Sequence, residues 1–379
     1  MRVLFITNSA VLYGANRSML EAIVELQKQN VKAYVWIPQA GPIEKELRRL
    51  QCKYKIMRYA YGIHEVDKYN KKSARDKMYL NLKCVHQNKH ILKEWKIDII
   101  HTNNSVDMVG ALLSLATGIP HVWHIREMIK VFYKSEYDFP MLTHWLMRRA
   151  DKVICISEVV RQYWEKQTGC KNAEVIYNGF SMEHYIDREK DLTVPEMYHF
   201  FLAGNIGPEK GPMDAVKAVR CLVDRNIHNI HLSIVGDERK PDYVGKMRKY
   251  ISCHKLWDYI EFVPFQEDLR EIRKNSHIAL MCSRGEALGR VTVENMAAGV
   301  LVIGANSGGT KELIKDGVTG YLYEAADAKQ LADKIQHTME NWEEAQKMIV
   351  TAREEAIEKF AVENYVKKLK KVYEKVLSK

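Results

Sequence analysis

The chain has no apolar run near the roughly 20 residues that a bilayer-spanning helix needs. Its opening apolar stretch is only four residues, Val3, Leu4, Phe5 and Ile6, followed by polar Thr7 and Asn8 with no small-residue cleavage site. It is expected to form a first β-strand and not a secretory leader. Cysteine is sparse and unpatterned: Cys52, Cys84, Cys155, Cys170, Cys221, Cys253 and Cys282 are odd in number and never form a C-x-x-C pair. A disulfide framework or zinc site is therefore not expected, and a reducing, cytoplasmic setting is. No internal repeat or low-complexity segment stands out. What is present is ordinary globular composition, 46% hydrophobic and 28% charged, over 379 residues. That length suits two domains of about 150 to 200 residues each.

The net charge of +10 is unevenly placed. Residues 1–150 hold 24 Lys and Arg against 13 Asp and Glu, whereas residues 201–379 hold 28 against 26. Much of the excess lies in Lys68, Lys71, Lys72, Arg75, Lys77, Lys83, Lys89, Lys93 and Lys96, interleaved with Tyr69, Tyr79, Leu80, Leu82 and Ile91. The pattern suits an exposed helix or helix pair with an apolar and a cationic side. Three readings stand beside one another: a solvated face, attraction to an anionic membrane surface or lipid-phosphate acceptor, and non-specific nucleic-acid contact. No nucleic-acid motif accompanies the charge, so no specific nucleic-acid partner is expected.

Short β-branched runs alternate with helical periodicity along the first half: strands at 3–6, 33–37, 97–101, 120–124 and 152–156, and a helix over 16–28. After residues 175–180 comes a charged stretch containing Pro195, read as a linker over 183–197. A second βα series follows, with strands at 198–203, 231–235, 259–263, 278–281 and 300–303. Repeated βα units predict parallel sheets with helices on both faces, and ligands beyond the carboxyl ends of the strands. The expected organisation is an N-terminal domain over 1–182, the linker, a C-terminal domain over 198–360 and a terminal helix over 361–379. Ile357, Phe360, Tyr365, Leu369, Val372, Tyr373 and Val376 give the tail its helical spacing.

The densest chemical signal is residues 285–299, where Glu286 sits in a glycine-bounded loop and Glu294 follows on the next helix. Between them the chain enters a helix N-terminus, whose unpaired N–H groups and dipole favour a phosphate. The two carboxylates can accept hydrogen bonds from hydroxyl groups on either side. This spacing resembles the E-x7-E signature of retaining glycosyltransferases with the GT-B fold, most closely the large family 4. The resemblance implies two doubly wound Rossmann-like domains facing a central cleft, with the terminal helix crossing back to the first domain. It places Glu286 beside the donor sugar, Glu294 on the nucleotide ribose, and the backbone of Leu288 and Gly289 at the phosphates.

Residues 203–211 resemble the family's G-R-L-x-x-x-K-G loop, in which Lys210 matches the diphosphate-binding lysine and Asn205 stands where the family has arginine. Arg290 could supply the missing charge. Val235-Gly236-Asp237 and Ser307-Gly308-Gly309-Thr310-Lys311-Glu312 resemble further glycine turns of the family, whereas Phe265 stands where a glycine is usual near the base. Residues 12–17 resemble its G-G-A-E-R loop, with Gly14 retained for close backbone approach and Tyr13 in place of the first glycine. Arg17 would lie in the following helix, in a salt bridge or on a ligand. His124, at a strand end, matches the family histidine near the donor sugar. His101, Thr102, Asn103 and Asn104 could line an acceptor pocket, and Ser157-Glu158 and Asn178-Gly179 match positions of structural character. Cys282 is read as a small buried side chain.

The resemblance implies transfer of a sugar from a nucleotide diphosphate, with a UDP-sugar favoured, to a hydroxyl of a polysaccharide or lipid-linked glycan, with retention at the anomeric carbon. His124, Lys210 and Glu286 would be the catalytic set. Gly14, Asn205, Leu288, Gly289, Arg290 and Glu294 would hold the nucleotide. No D-x-D pair sits convincingly at a strand end, and neither a metal nor another cofactor is expected. The place implied is the cytoplasm or the inner face of the membrane, with peripheral contact to anionic lipid. The alternative is a GT-B scaffold that binds sugar nucleotide or glycan with weakened turnover.

Overall fold

The computed structural model describes residues 1–186 and 192–378. The chain divides into two compact units, Met1–Ser181 with Phe360–Lys379, and Met182–Lys359. The first opens with β1 (Arg2–Ile6), α1 (Gly14–Lys28), β2 (Lys32–Ile37), α2 (Ile43–Arg49), β3 (Lys53–Ile56), β4 (Ile63–Glu65) and α3 (Lys71–Glu94). It continues with β5 (Ile99–Thr102), α4 (Val109–Thr117), β6 (His121–Ile125), α5 (Ile129–Phe132), β7 (Ser135–Tyr137) and α6 (Pro140–Arg149). β8 (Lys152–Cys155), α7 (Glu158–Thr168) and β9 (Ala173–Val175) complete it.

The second unit starts with α8 (Glu183–Ile186), β10 (Tyr198–Ala203), α9 (Pro212–Asp224), β11 (Ile230–Val235), α10 (Pro241–Cys253) and β12 (Ile260–Val263). Next come α11 (Arg270–Asn275), β13 (Ile278–Met281), α12 (Arg290–Ala297), β14 (Leu301–Ala305), α13 (Thr310–Leu313) and β15 (Tyr321–Tyr323). α14 (Ala328–Glu340) and α15 (Trp342–Phe360) follow, and α16 (Val362–Leu377) returns to the first unit.

Each unit is a doubly wound parallel sheet. The first has strand order β3-β2-β1-β5-β6-β8-β9 and the second β12-β11-β10-β13-β14-β15. β4 and β7 form a separate antiparallel pair. In both large sheets the order reverses beside the first strand, between β1 and β5 and between β10 and β13. Such a reversal opens a crevice at the strand carboxyl ends. The central strands are buried on both faces, as parallel sheets require: β5, β6, β13 and β14 are buried along their whole length.

Alternation sorts the first sheet into two cores. Val3, Phe5, Ile99, Val122 and Ile154 pack with α1 and α16 residues, whereas Leu4, Ile6, Trp36 and Ile100 pack with Val85, Ile91, Val109 and Leu113. α16 is held by Val366, Leu369, Val372 and Val376, each worth about 1.5 to 3 kcal/mol when buried. Its Lys367, Lys368 and Lys371 stay in water.

The tail, expected as one periodic run, is two helices. Ala361 is extended (φ −57°, ψ 137°) and bridges in parallel to Phe180, with Phe180 N donating to Phe360 O at 2.8 Å and Val362 N to Phe180 O at 3.0 Å. Of the stretch read as a linker, Glu183–Ile186 is a helical turn packed on α12, and residues 187–191 lie outside the described residues. α3 also differs from its sequence reading. Its buried side is Ala74, Asn81, Cys84, Val85, Ile91 and Leu92, while Tyr79 and Leu82 stand in solvent.

Candidate active site

Three loops meet at the carboxyl ends of β10, β13 and β14. The β10 loop carries Asn205 and Lys210, the β13 loop carries Glu286, and the β14 loop carries Gly308 and Gly309. Lys210 Nζ donates to Oε1 of Glu286, which also accepts from Ser283 Oγ at 2.8 Å. The predicted cation and carboxylate thus form one ion pair, with side chains 34% and 15% exposed. Asn205, in the family's arginine position, is exposed.

The Glu286 loop is shaped by the glycines behind it. A Cβ on Gly308 would lie 2.4 Å from Glu286 N, and one on Gly309 would lie 2.6 Å from Leu288 Cα. Gly309 N donates to Glu286 O at 2.7 Å, and Ser307 Oγ to Ser283 O at 2.7 Å. The Ser307-Gly308-Gly309 stretch is therefore the backing of the site. Its requirement for glycine is steric: backbone on backbone leaves no room for a side chain.

Leu288 is buried, and Gly289 (φ 94°) starts α12 without a side-chain cap. Thr292 N turns back to Gly289 O at 3.0 Å, and Thr292 Oγ1 is buried with no hydrogen-bond partner among the described residues. Arg290, expected to make up for the charge missing at Asn205, donates through Nε to Glu294 Oε1 at 2.7 Å. The other Glu294 oxygen accepts from Arg273 Nη2 at 2.5 Å, and Arg273 Nε donates to Asn295 at 2.9 Å. Burial would raise the Glu294 carboxyl, but Arg290 and Arg273 outweigh it and hold it below its ordinary value. Each oxygen keeps one lone pair for a further donor. Arg273, stacked over Tyr185, escaped the sequence reading because it lies on a separate helix 21 residues before its partner.

In the first unit, Gly14 opens α1 behind Tyr13, which gives no side-chain cap, and nothing lies within 4 Å of where its Cβ would be. Asn16 ties the preceding loop down through Nδ2 to Val11 O at 2.7 Å and Ser9 O at 3.0 Å. Arg17 Nε donates to Leu12 O at 3.0 Å.

His124 lies on β6, fully buried, with Nδ1 3.3 Å from His101 Nε2 and 3.4 Å from Arg126 Nη2. Arg126, missed in the sequence, holds Asn103 Oδ1 through Nε at 2.8 Å and Asn178 Oδ1 through Nη1 at 2.6 Å. Burial first, and Arg126 second, keep both His101 and His124 well below the ordinary imidazole range, so both are neutral. His101, Thr102, Asn103 and Asn104 are all buried and engaged inside the unit, and they do not line an open pocket as expected. Ser157 caps α7 by accepting from Val160 N at 3.2 Å, and Gly179 leaves room for α16, where a Cβ would lie 2.7 Å from Val362 Cα.

Cys282 is buried, its thiol pushed up to about 12 by burial. All seven cysteines are free. Among the described residues no cluster of three or more His, Cys, Asp or Glu is arranged to hold a metal ion. No described helix is long and apolar enough to cross a membrane.

Comparison with known proteins agrees with this architecture. Residues 13–184 match the model of Glycosyltransferase Family 4, and residues 186–355 that of Glycosyl transferases group 1. An uncharacterised glycosyltransferase of Methanocaldococcus jannaschii is 29% identical over 295 residues, covering 76% of this chain and 78% of that protein. The Escherichia coli UDP-Gal:alpha-D-GlcNAc-diphosphoundecaprenol alpha-1,3-galactosyltransferase is 24% identical over 261 residues, 62% of this chain and 65% of that one. The crystal structure of Anabaena HepE in complex with UDP superposes with a TM-score of 0.83 over 99% of this chain and 100% of that one, at 21% identity. The fold is GT-B, two Rossmann-like α/β domains. The chain belongs to the group 1 glycosyltransferases, of the family 4 type, and is a transferase acting on sugars.

Proposed function

We propose that the protein is a retaining glycosyltransferase that moves a sugar from a nucleotide diphosphate, a UDP-sugar, to a hydroxyl of a polysaccharide or lipid-linked glycan precursor. The observation that carries this reading is the convergence of Lys210, Glu286 and the uncapped α12 N-terminus at the strand-order reversal of the second unit. An N-terminus of this kind and a lysine together neutralise charge growing on a leaving diphosphate. Arriving phosphate competes with Glu286 for Lys210 and so releases the carboxylate to accept from sugar hydroxyls. Glu294, held between two arginines, offers its remaining lone pairs to the ribose. On the first unit, the family resemblance assigns Gly14, with nothing within 4 Å of where its Cβ would be, to a phosphate and His124 to a sugar hydroxyl. In this reading the leaving phosphate takes the acceptor's proton, and no metal or other cofactor takes part.

The UDP carried by HepE and the lipid-linked acceptor in the name of the Escherichia coli relative support the donor and acceptor classes. Peripheral contact with anionic membrane belongs to the same reading. The solvent face of α3 carries Lys72, Arg75, Lys83, Lys89 and Lys93 around exposed Tyr79 and Leu82. A cationic face with protruding apolar side chains suits the interface of an anionic bilayer.

A second reading, a scaffold that binds sugar nucleotide with little turnover, is favoured by exposed, uncharged Asn205 in the arginine position. Proton NMR of a reaction containing a UDP-sugar and a glycan acceptor separates the two. A new glycoside with the anomeric configuration of the donor supports transfer with retention. An inverted product contradicts retention, and bound but unconsumed donor favours the scaffold.

A further inference from the structure

The polar chemistry around His124 is directional. A guanidinium can only donate, so the Arg126 contact leaves His124 Nδ1 as an acceptor. In a neutral imidazole the hydrogen then sits on Nε2. His101 Nε2 faces the same Nδ1 and must be the donor there, which leaves His101 Nδ1 bare to accept from the Tyr373 hydroxyl at 2.9 Å. The second donor is anchored in the same way: Arg126 hydrogen-bonds the Tyr365 hydroxyl.

Tyr365 and Tyr373 lie eight residues apart on one face of α16, and both are buried in the α1 and α16 core. One helix therefore holds both groups that donate to His124 Nδ1. At the far end of the chain, His124 Nε2 is buried without a partner among the described residues. Every other hydrogen-bonding atom in the array is used, and the free one is a donor by construction. A buried unpaired N–H is costly, and a substrate oxygen would satisfy it.

We infer that Tyr365 and Tyr373 are positioning residues for His124: through Arg126 and His101 they fix the tautomer in which Nε2–H is a donor to an oxygen of the transferred sugar. The inference rests on the transferase reading for its substrate, though not for its tautomer. It makes His124 a fixed, neutral hydrogen-bond donor and not a proton shuttle. The groups facing the array are His101 from β5, His121 and Arg126 from β6 and its end, Tyr365 and Tyr373 from α16, and Glu21 of α1 toward Tyr365. Among the described groups facing the imidazole itself, Arg126 is the one that carries charge.

The test is two-bond nitrogen–proton NMR on the full chain labelled with nitrogen-15 histidine, with signals assigned from His101→Gln and His124→Gln. In the wild type both His101 and His124 should show a bare Nδ1 and a protonated Nε2, unchanged between about pH 6 and pH 8. UDP-glucose should shift His124 Nε2 and UDP alone should not. Tyr373→Phe keeps the ring and removes the hydroxyl. It should mix the tautomers of His101, and those of His124 less because Arg126 still donates to its Nδ1, and lower kcat/KM for UDP-glucose about tenfold, with the inhibition constant for UDP unchanged. A proton on His124 Nδ1 in the wild type overturns the inference, as do unchanged tautomers in Tyr373→Phe. Binding of UDP-glucose with no change at His124 Nε2 also overturns it, while leaving the transferase reading intact. If UDP-glucose does not bind at all, the transferase reading fails, and the spectrum of the free protein still decides the tautomer.

Discussion

Lys210 Nζ and Glu286 Oε1 are hydrogen-bonded to each other in the unliganded protein. Both side chains keep contact with water, so the pair itself adds little stability. In the proposed mechanism it is a latch that an arriving phosphate opens. Lys210→Met should lower kcat about 10²- to 10³-fold, the usual effect of removing one preorganised charge from a leaving-group site, with little change in melting temperature. Glu286→Gln should modestly strengthen nucleotide binding, since it frees Lys210, while lowering kcat, since it removes the proposed sugar contact. Steady-state kinetics with isothermal titration of UDP reads both.

Gly308 and Gly14 should behave oppositely. Gly308 has φ 52°, and its Cβ would lie 2.4 Å and 2.6 Å from the Glu286 backbone. Gly308→Ala should cost about 1 to 3 kcal/mol and displace the Glu286 loop. Gly14→Ala meets no atom within 4 Å, so its melting temperature should hold while KM for the sugar nucleotide rises. Calorimetry paired with donor kinetics checks the contrast.

Arg273 should set the acid limb of the stability curve. The folded-state value of Glu294 lies below its ordinary 4.5, so its stabilisation is present above that pH and fades as pH falls through the lower folded value. Arg273→Met removes one attraction while burial persists. The acid limb should move to higher pH, with a loss of about 1 to 3 kcal/mol near neutrality. Melting temperature against pH measures both.

His121 acts in the same sense over a higher pH window. Burial pushes its imidazole from 6.5 down to about 3, so between these values the unfolded chain binds a proton that the folded protein does not. Stability therefore falls as pH falls through that window. His121→Gln should flatten the slope by about 1.4 kcal/mol per pH unit there. Asp107, pushed up to about 7 by burial, works against this slope in both proteins and cancels in the comparison.

Lys72→Glu with Lys83→Glu and Lys89→Glu should abolish sedimentation with vesicles containing anionic lipid at low salt. The triple variant should keep its melting temperature, because all three side chains are exposed. Equal sedimentation of wild type and variant would remove α3 from the membrane reading.

The sequence showed most plainly the features that are local. β10 and β13 stand at the residues expected, because continuous apolar runs bounded by glycine and polar residues mark buried parallel strands. β3 was missed because Lys53–Ile56 is a four-residue edge strand with three exposed residues, too short for its alternation to stand out. Glu286, Glu294 and Lys210 could be named from loop motifs. Arg273 and the tyrosines of α16 could not, because they reach Glu294 and His101 from elements with no chemical motif of their own, and Arg126, two residues after His124, shows its role only through its contacts. Only the folded chain brings Tyr373 to His101, 272 positions apart.

The most direct test of the central claim is isothermal titration of UDP, GDP, ADP, CMP and dTDP into the wild type and Lys210→Met. The account predicts that UDP binds and that the substitution weakens it at least about tenfold, the loss of one charge-assisted phosphate contact. Binding of no nucleotide, or UDP binding that is indifferent to Lys210, would contradict it.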